Sequence, residues 1–318
     1  MQSESDTASH SSTDSDINAM PVVIHQAGPS SISPHALSYD SKPVHPDFAS
    51  PDADVVLQAK DARGTMFRVH SYTLKTTSGW FRTMFSLPQS SSSLTSEPIY
   101  MDEDSDTLEW ILRMACGLPL NPIDSYDVVD SVLYAAEKYD MPGVMSIIRI
   151  LVMTPSLFNH PFRLYIAACR FGWHAEAQTA STQTLSYNLF DKDIYPMLRR
   201  LPSDSLLDLF ELHRKRREGL RKRLNDPPFV AGGTASCASC HAHIDYHTWR
   251  ELKYKIILEM DIRPLGDSIL EHGLNEWPEA HACWSAKCPN ANCDRYLYDK
   301  NETVRVIQEC VAGLPKSI

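Results

Sequence analysis

Five of the eight cysteines fall in two tight groups near the C-terminus. Cys237 and Cys240 lie in Cys-Ala-Ser-Cys-His, and Cys283, Cys288 and Cys293 follow with four residues between neighbours. Cys-x-x-Cys-His spells a c-type haem attachment, and Cys-x-x-Cys spells a redox pair or half of a zinc site. Haem attachment needs an export route, and the opening "MQSESDTASHSSTDSD" has acids where a secretory signal carries a basic region and an apolar core. A redox pair belongs near a strand–helix junction, whereas these cysteines follow a Gly-Gly loop. Zn²⁺ takes four thiolates in a tetrahedron. The two sulfurs of Cys-x-x-Cys converge across a turn, and a second loop can complete the sphere.

The sequence therefore predicts a structural zinc held by four of Cys237, Cys240, Cys283, Cys288 and Cys293. Ordinary reduced thiols are the alternative. His241, His243, His247 and His281 could each replace a cysteine, although His241 reads as a bystander. Four protein ligands leave no open position, so such a site is structural, whereas three ligands and a water would make it catalytic. The chain has no His-Glu-x-x-His motif. It shows no nucleophile–base pairing either, so no enzyme is expected. Cys116, Cys169 and Cys310 stand alone and read as small core hydrophobes.

The other charged feature is "HRKRREGLRKR", which carries Arg214, Lys215, Arg216, Arg217, Arg221, Lys222 and Arg223. It fits a solvated helix end, where cations suit the dipole. It also fits a nuclear-import signal or a phosphate contact. The net charge of −10 argues against a general nucleic-acid or anionic-membrane binder. No run of about 18 apolar residues is present, so no membrane span is expected. These features point to the nucleus or cytoplasm.

Several elements must position these residues. Residues 1–48 are serine- and proline-rich and read as a disordered tail. "DADVVLQA" and "TMFRVH", separated by "KDARG", read as a β-hairpin. Ser71 reads as the cap of a helix carrying Leu74, with Ser78-Gly79 dividing it from a second helix carrying Phe81 and Phe85. A serine-rich loop (89–96) and a short strand "EPIYM" follow. Ser105 or Asp106 reads as the cap of a helix stopped by Gly117. Apolar periodicity then marks helices around Val128–Ala136, Val144–Leu151 and Leu164–Phe171, and a long one opening at Ser203. In the last 90 or so residues, helices are expected near Trp249–Met260 and over Val304–Val311.

Asp54, Phe67, Val69, His70, Leu74, Ser78, Phe81, Met84 and Phe85 carry a resemblance to the BTB/POZ domain. Such domains read "F-x-V-H-x-x-x-L-x-x-x-S-x-x-F-x-x-M-F", and residues 67–85 match every slot. "DTLEWILRMACG" and "VLYAAEKYDMPGV" resemble the helices that follow. The resemblance implies an α+β fold, with a small sheet among helices at 49–155. A mainly helical extension at 156–225 and a small zinc-stabilised Cys/His region with a terminal helix at 226–318 would follow. It implies that His70 helps fix the strand-to-helix corner by hydrogen bonding. It also implies a protein–protein interaction module that forms homo- or heterodimers through its first strand and first helix. An adaptor or regulatory scaffold, with a cullin-type ubiquitin ligase scaffold among the partners, would fit. The cullin signal, a hydrophobic-x-acidic triplet, is here Leu87-Pro88-Gln89, with glutamine in the acidic slot. The alternative is a nuclear transcriptional regulator whose basic helix and zinc region contact DNA. The overall arrangement resembles short BTB proteins of the fungal type.

Overall fold

The computed structural model describes residues 42–88, 97–229 and 235–318. The serine-rich loop, Gln89 and residues 1–41 of the expected tail lie outside the described residues.

Four strands form one sheet in the order β1-β3-β2-β4. β2 (Val55–Gln58) and β3 (Met66–Val69) are the expected antiparallel hairpin, with Val55 opposite Val69 and Leu57 opposite Phe67. Its turn places Gly64 at φ +59°, a left-handed conformation that glycine adopts without strain. β4 (Ile99–Tyr100) runs parallel to β2 on one edge. β1 (Val44–Ala49) runs parallel to β3 on the other. All of β1 but Ala49 falls in the stretch expected to be tail, because its sequence barely alternates and only Phe48 is buried. Its place comes from distant partners: His45 stacks on Phe67 with centroids 5.1 Å apart. Pro46 is tolerated because an edge strand has one unpaired side.

At the corner after β3, Ser71 does not cap. α1 (Ser71–Thr77) starts at Ser71, with His70 in the cap position and no cap bond from its side chain. Asp54 does the work instead. Ser71 donates its backbone N–H to Asp54 Oδ1 (2.7 Å) and its hydroxyl to Oδ2 (2.6 Å). His70 is exposed and lies 3.9 Å from Asp52, so the bond expected from it is supplied by the Asp54 carboxylate, just before β2.

Ser78 separates α1 from α2 (Gly79–Ser86) as expected. Its Oγ accepts the Phe81 N–H and donates to the Tyr139 carbonyl, tying this break to a helix 61 residues away. Gly79 is required at the contact, since a Cβ there would sit 1.7 Å from Asp140 Oδ2. α3 (Ser105–Cys116) is capped by Asp104, which accepts the Thr107 N–H, rather than by Ser105 or Asp106. It ends at Gly117, whose φ is +69°. α4 (Tyr126–Lys138) places Lys138 and Tyr139 against buried Glu103. α5 (Pro142–Leu151) begins at the proline of the Asp-Met-Pro turn.

The extension continues with α6 (Pro155–Phe158), α7 (Pro161–Phe171), α8 (His174–Thr184), α9 (Tyr195–Leu198) and α10 (Ser203–Arg223). One apolar core runs without a break from Phe48 to Leu209, so the sheet region and the extension are packed as one body. Arg149 grips Glu176 with two bonds of 2.7 and 2.9 Å across that junction.

A second core starts at Leu220, on the same helix α10. It gathers α11 (His247–Ile262), a π-helical turn (Ile269–Gly273), α12 (Leu274–Glu276), α13 (Pro278–Ser285) and α14 (Lys300–Ala312). The change of core therefore falls within α10, not at the Asn-Asp-Pro-Pro stop where composition suggests it. Among the described residues, no helix is long and apolar enough to cross a membrane.

Candidate metal centre

Two hairpin loops meet beyond α11 and α13. In the first, Ser236 bridges His243, Cys237 donates its N–H to the Ala242 carbonyl, and His241 turns the chain at φ +58°. In the second, Lys287 bridges Tyr296, Cys288 donates to the Arg295 carbonyl, and Asp294 turns the chain at φ +48°. The loops share one plan: a cysteine beside a β-bridge, a second cysteine, then a left-handed residue. The longer spacing in the second loop is absorbed by a turn in which Cys293 donates its N–H to the Asn290 carbonyl.

This plan aims four sulfurs at one point. Cys237 Sγ lies 3.7 Å from Cys293 Sγ, and Cys240 Sγ lies 3.5 Å from Cys288 Sγ. All four fall within 4.8 Å of one another. Four sulfurs about 2.3 Å from a shared zinc stand about 3.8 Å apart in an ideal tetrahedron. These four cysteines could hold a metal ion.

The electrostatics agree with a cation site. The amides of Cys240 and then Ser239 point at Cys237 and pull its thiol down to about 6. The Asn290 amide favours the Cys288 thiolate, but burial and the neighbouring sulfurs outweigh it and push that thiol up to about 12. Cys293 is likewise raised, because burial and its sulfur neighbours outweigh the Arg295 amide. Crowded thiols resist further negative charge, and a dication at their centre removes that resistance. Among the described residues the apolar cluster around these sulfurs is small, with Ile244 its one buried aliphatic residue. Loops this poor in apolar residues need a staple or a metal to hold them.

Cys283 does not join the cluster. Pro278 opens α13, which carries Cys283 into the second core at 0% exposure. There it lies beside the Thr248 hydroxyl, and burial pushes its thiol up to about 12. It is evenly spaced with Cys288 and Cys293, but α13 carries it into the core while the other two lie in the loop after that helix. The exposed residues His241, His243, His247 and His281 also lie outside the cluster. Of the thiols read as core, Cys169 and Cys310 are half-buried, whereas Cys116 is exposed at the end of α3.

The basic run does not form one surface. Arg216 is only 3% exposed, and its guanidinium donates to the carbonyls of Pro264 (2.7 Å), Leu265 (2.8 Å) and Pro315 (2.7 Å). Periodicity explains this: Leu212, Arg216 and Leu220 share the inward face of α10. Lys215 pairs with Glu211, Arg217 with Asp261, and Arg221 with Glu218. Arg214, Lys222 and Arg223 are exposed.

In the sheet region, Phe67, Val69, Leu74, Ser78 and Phe81 are buried, and Met84 and Phe85 pack against them. The motif residues are thus the framework of the fold, with Asp54 as its corner bond. Residues 49–154 match the family model of the BTB/POZ domain. The chain carries a BTB/POZ domain, a generally non-enzymatic module for protein–protein interaction, followed by a mainly helical extension. No curated protein matches the chain.

Proposed function

We propose that this chain is a dimerising adaptor or regulatory scaffold whose C-terminal region is stapled by zinc. The BTB/POZ match at residues 49–154 carries the first part. Tyr72, Tyr100 and Ile150 are large exposed side chains in that region and are candidates for partner contacts. The convergence of Cys237, Cys240, Cys288 and Cys293 carries the second part. Four thiolate ligands close the coordination sphere, so the zinc would be structural. Reduced thiols of this kind suit the nucleus or cytoplasm.

Light scattering on the purified chain tests dimerisation. A mass of twice 35.9 kDa is expected. A monomer at every concentration would sink it. Retention of a cullin N-terminal domain by the immobilised chain tests the ligase limb, and no retention removes it. Elemental analysis is expected to find about one zinc per chain. Less than half an equivalent, with no loss of stability in chelator, would sink the metal reading. The alternative, DNA contact through α10, now rests on fewer free cations, since Arg216 is committed to three carbonyls.

A further inference from the structure

Each close sulfur pair joins one hairpin loop to the other. Each also joins a buried cysteine to a partly exposed one. Partly exposed Cys293 faces buried Cys237, and partly exposed Cys240 faces buried Cys288. An accessible thiol backed by a second thiol in van der Waals reach is the arrangement that converts an oxidised sulfur into a disulfide before it oxidises further.

We propose that the cluster is a peroxide-responsive modification site, in which oxidation forms Cys237–Cys293 and Cys240–Cys288 disulfides and expels the metal. The sulfur of Cys293 or Cys240 attacks one oxygen of a peroxide. The O–O bond breaks, the sulfur becomes a sulfenic acid, and the second oxygen leaves as water after taking a proton. The buried partner sulfur then attacks the sulfenic sulfur. The S–S bond forms, the S–O bond breaks, and a second water leaves. Each pair loses two electrons to one peroxide, so two peroxides oxidise the cluster and four waters form. The sulfurs must approach by about 1.5 Å to reach a disulfide length near 2.05 Å. The paired residues are 56 and 48 apart in sequence, so the new bonds join the same loops that the metal joins. Oxidation thus exchanges one clamp for another. Metal release rests on the zinc reading, whereas the disulfide pairing rests only on the sulfur positions.

The test uses the full chain, purified reduced, with its zinc content measured before and after treatment with hydrogen peroxide. Trypsin without reductant leaves Cys237 and Cys240 in residues 224–250 and Cys288 and Cys293 in residues 288–295. The expected result is one joined species, four hydrogens lighter than the two peptides together. Its fragments should assign Cys237 to Cys293 and Cys240 to Cys288, and the zinc should appear in the filtrate. Separate peptides each two hydrogens lighter would show each loop closing on itself and overturn the proposal. Sulfinic or unreacted cysteines would overturn it as well. Joined peptides from a chain that held no zinc at the start leave the disulfide assignment standing and sink only the metal reading.

Discussion

Arg216→Ala is the substitution that most sharply separates a structural from a surface role for the basic helix. The guanidinium lies at the point on α10 where one core ends and the next begins, between Leu212 and Leu220. It satisfies carbonyls from the turn after α11 (Pro264, Leu265) and from the segment after α14 (Pro315). Burial works against its charge and lowers its pKa, so the three bonds must offset that desolvation. Removing it strands three carbonyls and leaves a void. Hydrogen bonds to charged groups contribute about 1.5–3 kcal/mol each, and not additively, so a net loss of about 4 kcal/mol is expected. For a chain of this size that lowers the melting temperature by roughly 10 °C. Arg216→Lys keeps the charge but not the planar fork, and should recover less than half.

The assay is thermal or urea unfolding of Arg216→Ala beside Arg214→Ala, whose side chain is exposed. Hydrogen exchange supplies a local readout. The Ile318 amide, bound to Ser181 Oγ at 3.3 Å, should lose protection in Arg216→Ala as the segment from Leu314 onward detaches. Equal stability of the two variants, with unchanged exchange at Ile318, would refute the account.

Three further outcomes are expected. Replacing Cys237, Cys240, Cys288 or Cys293 by serine should abolish or sharply weaken zinc retention, whereas Cys283→Ser should keep full stoichiometry; elemental analysis of the five variants checks this. His213 is buried, and burial followed by Arg216 lowers its pKa from 6.5 to about 4. Thr184 spends its hydroxyl proton on the Ser181 carbonyl, so it accepts from the neutral imidazole. Above pH 6.5 the group is neutral in both folded and unfolded chains. As pH falls from 6.5 towards 4 the unfolded chain takes the proton first, and about 3 kcal/mol of stability is lost. His213→Gln should flatten that part of the pH–stability curve relative to wild type. Asp54→Ala should cost about 1–2 kcal/mol through the two lost Ser71 bonds, and His70→Ala distinctly less, in paired urea titrations.

The fold of residues 49–154 was legible because its framework residues are local and periodic. Leu74 and Phe81 are the buried residues of two short helices divided at Ser78, and Phe67 and Val69 alternate on a strand. Their burial follows from spacing alone. β1 was not legible, because its stability comes from β3 and from His45 stacked on Phe67, which no neighbour in sequence encodes. The caps expected from sequence fall one position late at α1 and one or two late at α3. Serine, threonine and aspartate are all good caps, and only backbone geometry selects among them.

The cysteine site divides in the same way. Composition determined that two sulfur-rich loops exist and that a thiophilic ion suits them. A Cys-x-x-Cys turn converges whatever surrounds it, so Cys237 and Cys240 could be named from spelling. Choosing among Cys283, Cys288 and Cys293 required the tertiary structure. Three evenly spaced residues look equivalent until α13 claims the first of them for its buried face, and Asp294 turns the chain after the last. Arg216 shows the same limit for charge. In sequence it is one cation among seven; in the folded chain it is the bond between two cores. Type and spacing determine which chemistry a residue can perform. Its depth and its partners are set by segments that meet only on folding, here 48 and 99 residues further along the chain.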